Sequence, residues 1–200
     1  RATGHIPEQL EAIEKLISSG LAYEINGSVY FDVSQDPKYG ELSNRSFEEM
    51  QEGTRVEVRQ EKRNPQDFAL WKKADAGHLM RWQDPYSGWG YPGWHTECTV
   101  MSTRYLGDRF DIHGGGMDLK FPHHDCEISQ ARGLGKAFAN YWMHNNMLTI
   151  EGQKMSKSTG NFVTLIDAFG QYDPLAVRYF IAASHYRSVV DYSESALKAA

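Results

Sequence analysis

The chain has 200 residues, a formal net charge of −5, 40% apolar and 12% aromatic residues, and two cysteines. That is enough apolar material for one sizeable core or two small ones, and it excludes a fibrous or disordered chain. The acidic balance excludes a broad nucleic-acid footprint, two cysteines exclude a disulfide framework, and the short apolar runs exclude a membrane-spanning helix, so a cytoplasmic protein with no membrane partner is expected.

Residues 7–20 are predicted to form a helix, with Pro7 in its first turn, Leu10, Ile13, Leu16 and Ile17 on one face, and Gly20 as its stop. From 21 to 84 the texture changes to short β-like pieces, at 28–33 and 55–58, separated by Asp-Pro, Tyr-Gly and Glu-Gly turns. A second helix is predicted from Trp94 to Leu106, ending at Gly107, then a buried strand at 109–112 that runs into a turn at Gly114, Gly115 and Gly116. A helix at 122–131 and a strand at 141–150 follow. Thr164 and Asp167 form a capping-box pair, and Asp173-Pro174 opens a helix carrying Val177, Phe180 and Ile181. The fold class expected is α/β: the second half of a Rossmann-like doubly wound parallel sheet, with a small β-rich insertion and a C-terminal helical segment. Its parts are a catalytic-domain helix at 1–20, the insertion at 21–84, the Rossmann-like half at 85–150, and a lysine loop with the following helices at 151–200.

Three groups of residues can carry chemistry. Lys154, Met155, Ser156, Lys157 and Ser158, between Gly152 and Gly160, put two cations and two hydroxyls on a short loop with hinge glycines; this is either a phosphate clamp or a solvated surface loop. Gly114, Gly115 and Gly116 permit close backbone approach to a nucleotide, with Asp118 offering acceptors to ribose hydroxyls, or else they make a tight turn. Cys98, His123 and Glu127 suit zinc, His123 and Glu127 being four apart on one helical face; the alternative is a core cysteine beside surface histidines. Cys126, His124 and His95 are candidates for a fourth ligand, Cys126 a poor one because it points about 100° away from Glu127. An open zinc position invites a thiol substrate, and Trp94 and His113 could wall its pocket or simply pack.

Taken in order, several long motifs resemble those of the bacterial cysteinyl-tRNA synthetases, which are class I aminoacyl-tRNA synthetases. They are 62–72 (KRNPQDFALWK), 92–98 (PGWHTEC), 110–119 (FDIHGGGMDL), 121–124 (FPHH), 141–144 (YWMH), 154–158 (KMSKS) and 185–188 (HYRS), and the similarity covers essentially all 200 residues. The resemblance implies that ATP with magnesium activates L-cysteine as an adenylate, followed by transfer to tRNA(Cys). On the matching positions Lys154 and Lys157 would be catalytic, acting on the departing pyrophosphate. Gly114, Gly115, Gly116, Asp118, Lys154, Ser156 and Lys157 would bind the nucleotide. Cys98, His123 and Glu127 would hold one zinc ion, and Trp94 and His113 would contact the amino acid. Residues 151–200 would then begin a helical stem-contact domain, and a monomer is expected.

The departures matter too. The family's His-x-Gly-His segment, its fourth zinc-ligating cysteine and its anticodon-binding helices do not occur, and the chain opens on Arg1; an internal fragment, inactive by itself, is expected. Asp125-Cys126 stands where the family pattern suggests Glu-Asn, placing an extra thiol beside the candidate metal ligands. Two other functions compete: a ligase joining cysteine to an amino sugar in thiol biosynthesis, and a non-catalytic zinc or RNA-binding paralogue.

Overall fold

The computed structural model describes residues 1–46, 61–156, 158 and 160–200, so the strand expected at 55–58 and the side chain of Lys157 lie outside the described residues. The chain divides into two compact units. The first comprises Arg1–His113 and Leu119–Tyr141, the second Gly114–Asp118 and Trp142–Ala200.

In the first unit α1 (Ile6–Ser18) buries Ile6, Ala12, Ile13 and Leu16 together with Gln9. Gln9 is tolerated there because its Nε2 donates to the Ala2 carbonyl at 3.1 Å. The helix ends where Gly20 takes a φ of +78°, as its glycine signal implies. Strands β1 (Ala22–Ile25) and β2 (Ser28–Phe31) form a hairpin whose two turn residues, Asn26 and Gly27, have φ of 53° and 81°. That is the Asn-Gly turn whose twist matches its strands. Strands β3 (Phe68–Lys73), β4 (Trp82–Asp84) and β5 (Gly88–Pro92) complete an antiparallel sheet in the order β1-β2-β3-β5-β4. Ile13, Leu16, Val29, Phe31, Leu70 and Trp71 form one core between α1 and this sheet, and Cys126 packs into it. Burying each large side chain contributes about 1.5–3 kcal/mol.

The sheet aims the next helix. β5 ends at Pro92, the Gly93 N–H donates to the Leu70 carbonyl at 2.8 Å, and α2 (Trp94–Leu106) starts at once. The buried face of α2 carries Thr96, Thr99 and Thr103; Thr99 and Thr103 donate back to the His95 and Thr99 carbonyls at 3.2 and 2.9 Å. Strands β6 (Arg109–Gly116) and β7 (Phe138–Asn145) pair in a two-stranded sheet. Between them lie a kinked turn at Lys120–His124 and α3 (Asp125–Gly133).

Two of the next three sequence expectations need correction. The glycine triplet belongs to β6 and is not a turn: none of the three takes a positive φ. The helix expected from 122 forms: Phe121 is extended (φ −135°, ψ 133°), and the turn after it continues with helical dihedrals at His124 into α3. The strand expected at 141–150 is two strands, β7 and β8 (Leu148–Ile150), separated at Asn146, whose Oδ1 accepts the Met147 N–H at 2.8 Å.

In the second unit β8 runs parallel to β10 (Val190–Tyr192) and antiparallel to β9 (Gln153–Lys154). Helices α4 (Leu165–Phe169), α5 (Pro174–Ala182) and α6 (Glu194–Ala199) supply a small core of Ala168, Val177, Phe180 and Leu197. The capping box of α4 forms in full: Thr164 accepts from the Asp167 N–H at 3.1 Å, and Asp167 accepts from the Thr164 N–H at 3.1 Å.

Candidate metal centre and lysine loop

Glu127, in the first turn of α3, is fully buried, and three elements bring donors to it. Its Oε1 lies 2.7 Å from His123 Nε2, offered by the kinked turn, and its Oε2 lies 2.9 Å from His113 Nε2, offered by β6. Cys98, one turn into α2, completes the group Cys98, His123 and Glu127, whose ligand atoms all lie within 4.8 Å of one another. A second group, His113, His124 and Glu127, meets the same distance and shares the carboxylate. Behind His123, its Nδ1 is 2.8 Å from His95 Nδ1, and the Trp94 ring lies over it with centroids 4.4 Å apart.

The electrostatics are those of a cation site. Burial alone would raise the Glu127 carboxyl, yet the adjacent His113 and His123 rings hold it below the usual carboxylate range. A buried carboxylate is costly unless positive or hydrogen-bonding groups face it, and the two imidazoles do so here, one on each oxygen. Burial, with Glu127 and Glu97 adding to it, pushes the Cys98 thiol up to about 11. Burial and the His123 ring push the His95 imidazole down to about 3. The thiol therefore keeps its proton until a metal displaces it, and His95 is a neutral ring that can fix the His123 tautomer. The residues present fit zinc: a thiolate, an imidazole and a carboxylate are its usual donors.

Sequence reasoning grouped Cys98, His123 and Glu127 but gave His113 only a wall of the pocket; in the structure it contacts Glu127. Cys126 lies elsewhere. It is fully buried in the core with its Sγ 3.6 Å from the Tyr39 hydroxyl, and burial raises its thiol, so its side chain is not one of the clustered donors. The contacts of His95 with His123 and of His113 with Glu127 depend on how helices and strands meet, so no local spacing could have revealed them.

In the second unit Lys154 ends β9 of a hairpin whose turn residues, Glu151 and Gly152, have φ of 51° and 73°. Asp191 on β10 secures that turn, accepting from Thr149 Oγ1 at 2.7 Å and the Gly152 N–H at 2.8 Å. Asn161 spans the loop: its Oδ1 accepts the Ser156 N–H at 2.9 Å and its Nδ2 donates to the Lys154 carbonyl at 3.1 Å. Ser156 and Ser158 hydroxyls are 2.9 Å apart. Gly116 leaves room for Asp118, because a Cβ there would sit 2.4 Å from Asp118 Oδ1. Gly116 thus serves close approach, which Gly-rich sequence signals do not separate from turns.

The chain combines mixed α/β content with a parallel strand pair, in keeping with its match to a class I tRNA synthetase catalytic domain. At 14% identity, a Campylobacter jejuni structure described as an arginyl-tRNA synthetase shares the fold, with a TM-score of 0.56 over 98% of this chain and 35% of that one. The family model for tRNA synthetases class I (C) catalytic domain matches residues 1–200, and the chain belongs to that family. Among curated relatives it is similar to the cysteine–tRNA ligases of Chlorobaculum tepidum (60% identical over 99% of this chain and 41% of that protein) and Deinococcus radiodurans (60%, 100% and 40%). That of Thermus thermophilus is 55% identical over 100% of this chain and 42% of that protein. The chain thus spans about two fifths of the length of the curated relatives it matches.

Proposed function

We propose that the chain is part of the catalytic domain of a cysteine–tRNA ligase, which uses ATP with magnesium to convert L-cysteine to cysteinyl-adenylate and passes the cysteinyl group to tRNA(Cys). The observation that carries this is the buried Glu127 carboxylate grouped with Cys98 and His123, their ligand atoms all within 4.8 Å of one another, in a chain 55–60% identical to cysteine–tRNA ligases. Neither the amino-sugar ligase nor the non-catalytic paralogue draws support from those relatives.

Cys98, His123 and Glu127 would hold one zinc ion. When bound, zinc supplies a soft acceptor that retains a thiolate and holds an alcohol weakly. His113 and Trp94 would enclose the amino-acid side chain. Gly114, Gly115, Gly116 and Asp118 would receive the nucleotide, Gly116 by leaving the Asp118 carboxylate its place. The cysteine carboxylate oxygen attacks the α-phosphorus of ATP, the bond to the bridging oxygen breaks, and pyrophosphate departs with the electron pair. Lys154 and Lys157, with Ser156, would stabilise that developing charge as preorganised donors. The same proposal includes a Rossmann-like frame at 85–150, a connective insertion at 21–84, a stem-contact region beginning within 151–200, and a monomer acting in the cytoplasm. No helix among the described residues is long and apolar enough to cross a membrane.

The test is ATP–pyrophosphate exchange by the full-length, zinc-loaded protein. Exchange is expected with cysteine and not with serine; comparable exchange with both, or none with cysteine, would reject the proposal. In the same assay Asn161→Ala is expected to slow exchange about tenfold, with the KM for cysteine unchanged, because it releases both ends of the lysine loop.

A further inference from the structure

Helix α3 carries Glu127 on one face and is gripped from the other. Asp125, Ser129 and Arg132 follow an i, i+4, i+7 stripe; at ~100° per residue they lie roughly 140–160° around the helix from Glu127. All three meet one short segment that follows β2. Asp125 Oδ1 accepts the Leu42 N–H at 3.1 Å. Ser129 Oγ donates to Asp36 Oδ2 at 2.6 Å, and Arg132 Nη1 donates to both Asp36 oxygens at 2.6 and 2.7 Å. Asp36 is buried, and it also caps its own turn by accepting the Lys38 N–H at 3.1 Å. Arg132 reaches outward only to the exposed Glu41, at 3.3 Å.

We propose that Asp36, acting through Ser129 and Arg132, is a positioning residue for the zinc centre: it fixes the rotation of α3 about its axis and so the placement of the Glu127 carboxylate. This rests on the zinc assignment made above. A zinc ligand must sit within about 0.2 Å of its place. A helix held by one buried carboxylate through charge-assisted bonds at two successive turns has little freedom to roll. The contacts join residues 93 and 96 positions apart, so they tie the segment that follows β2 directly to the helix that carries Glu127. Groups that orient ligands in this way change metal affinity about 10–100-fold when removed.

Asp36→Asn in the full-length protein keeps the size of the side chain and removes its charge. The readouts are zinc affinity by competition with a chromophoric chelator, the absorption spectrum of the cobalt-substituted protein, and the Michaelis constants for cysteine and ATP. Expected are an affinity at least tenfold weaker, shifted cobalt bands, and a raised KM for cysteine with that for ATP unchanged. Glu41→Gln, on the exposed side of Arg132, is expected to match the parent protein in all of them. Zinc affinity and cobalt bands equal to the parent's in a folded Asp36→Asn protein would overturn the proposal. If Asp36→Asn fails to fold, Ser129→Ala decides by the same readouts, since it removes one buried hydrogen bond and no charge. A parent protein that binds neither zinc nor cobalt would overturn the zinc assignment and this inference together; a metal-loaded parent with indifferent variants overturns this inference alone.

Discussion

Glu127→Gln is expected to weaken zinc binding by more than about 100-fold and to reduce cysteine-dependent pyrophosphate exchange in proportion, while leaving the protein folded. The side chain is fully buried, so its replacement has to match it in size, and glutamine does. What changes is charge and donor character. Both Glu127 oxygens are 2.7–2.9 Å from imidazole nitrogens of His123 and His113, and the carboxylate lies with Cys98 and His123 in a group whose ligand atoms are all within 4.8 Å, so it brings the negative charge to that group. An amide presents one neutral oxygen and turns an NH2 group toward whichever histidine faces it. Loss of a metal ligand should exceed the 10–100-fold typical of groups that only orient ligands. Zinc content after dialysis against a weak chelator, read beside the exchange rate, checks this. A Glu127→Gln protein that keeps one zinc per chain would show that the carboxylate is not a ligand.

Gly93→Ala is expected to destabilise the first unit by about 3 kcal/mol or more and to remove the metal centre with it. Gly93 is the one residue between β5 and α2, and its backbone lies so close to β3 that a Cβ would stand 1.8 Å from the Ala69 carbonyl oxygen and 3.1 Å from Leu70 Cα. Those are backbone atoms of the middle strand of a five-stranded sheet, so they cannot rotate aside. Either the sheet parts or α2 lifts away, and overpacking of this kind costs about 1–3 kcal/mol where relaxation is possible and more where it is not. Because Trp94, His95 and Cys98 fall in the first two turns of α2, even a folded variant should bind zinc poorly. Denaturant unfolding monitored beside zinc content measures both effects. Parent-like stability would mean that the approach of β3 to Gly93 is looser than described.

Local patterns carried well from sequence to structure. The apolar stripe of α1 and the Thr164/Asp167 capping box each depend on residues within a few positions of one another, and each forms. The donor set was legible for the same reason in part: His123 and Glu127 are four apart and meet across the turn that leads into α3. What sequence did not disclose is tertiary. His113 reaches Glu127 because of where β6 ends, and His95 meets His123 because Gly93 aims α2. Gln9 reads as a polar intrusion on an apolar face until its bond to Ala2 is seen. The glycine triplet misled because glycine marks turns and close approaches alike, and here Gly116 lies in a strand with the Asp118 carboxylate close to it. Asp36 and Arg132 are ordinary charged letters in sequence, and only the packing of α3 makes them a clamp.

The central claim is that Cys98, His123 and Glu127 form a metal centre that selects the substrate thiol. Calorimetric titration of the full-length protein with L-cysteine and with L-serine, zinc-loaded and after chelation, tests it most directly. Cysteine is expected to bind the zinc-loaded protein at least about 1,000-fold more tightly than serine, because an alcohol cannot replace the missing soft ligand, and chelation should remove the preference. Affinities for the two amino acids within tenfold of each other, or a cysteine preference that survives chelation, would contradict it.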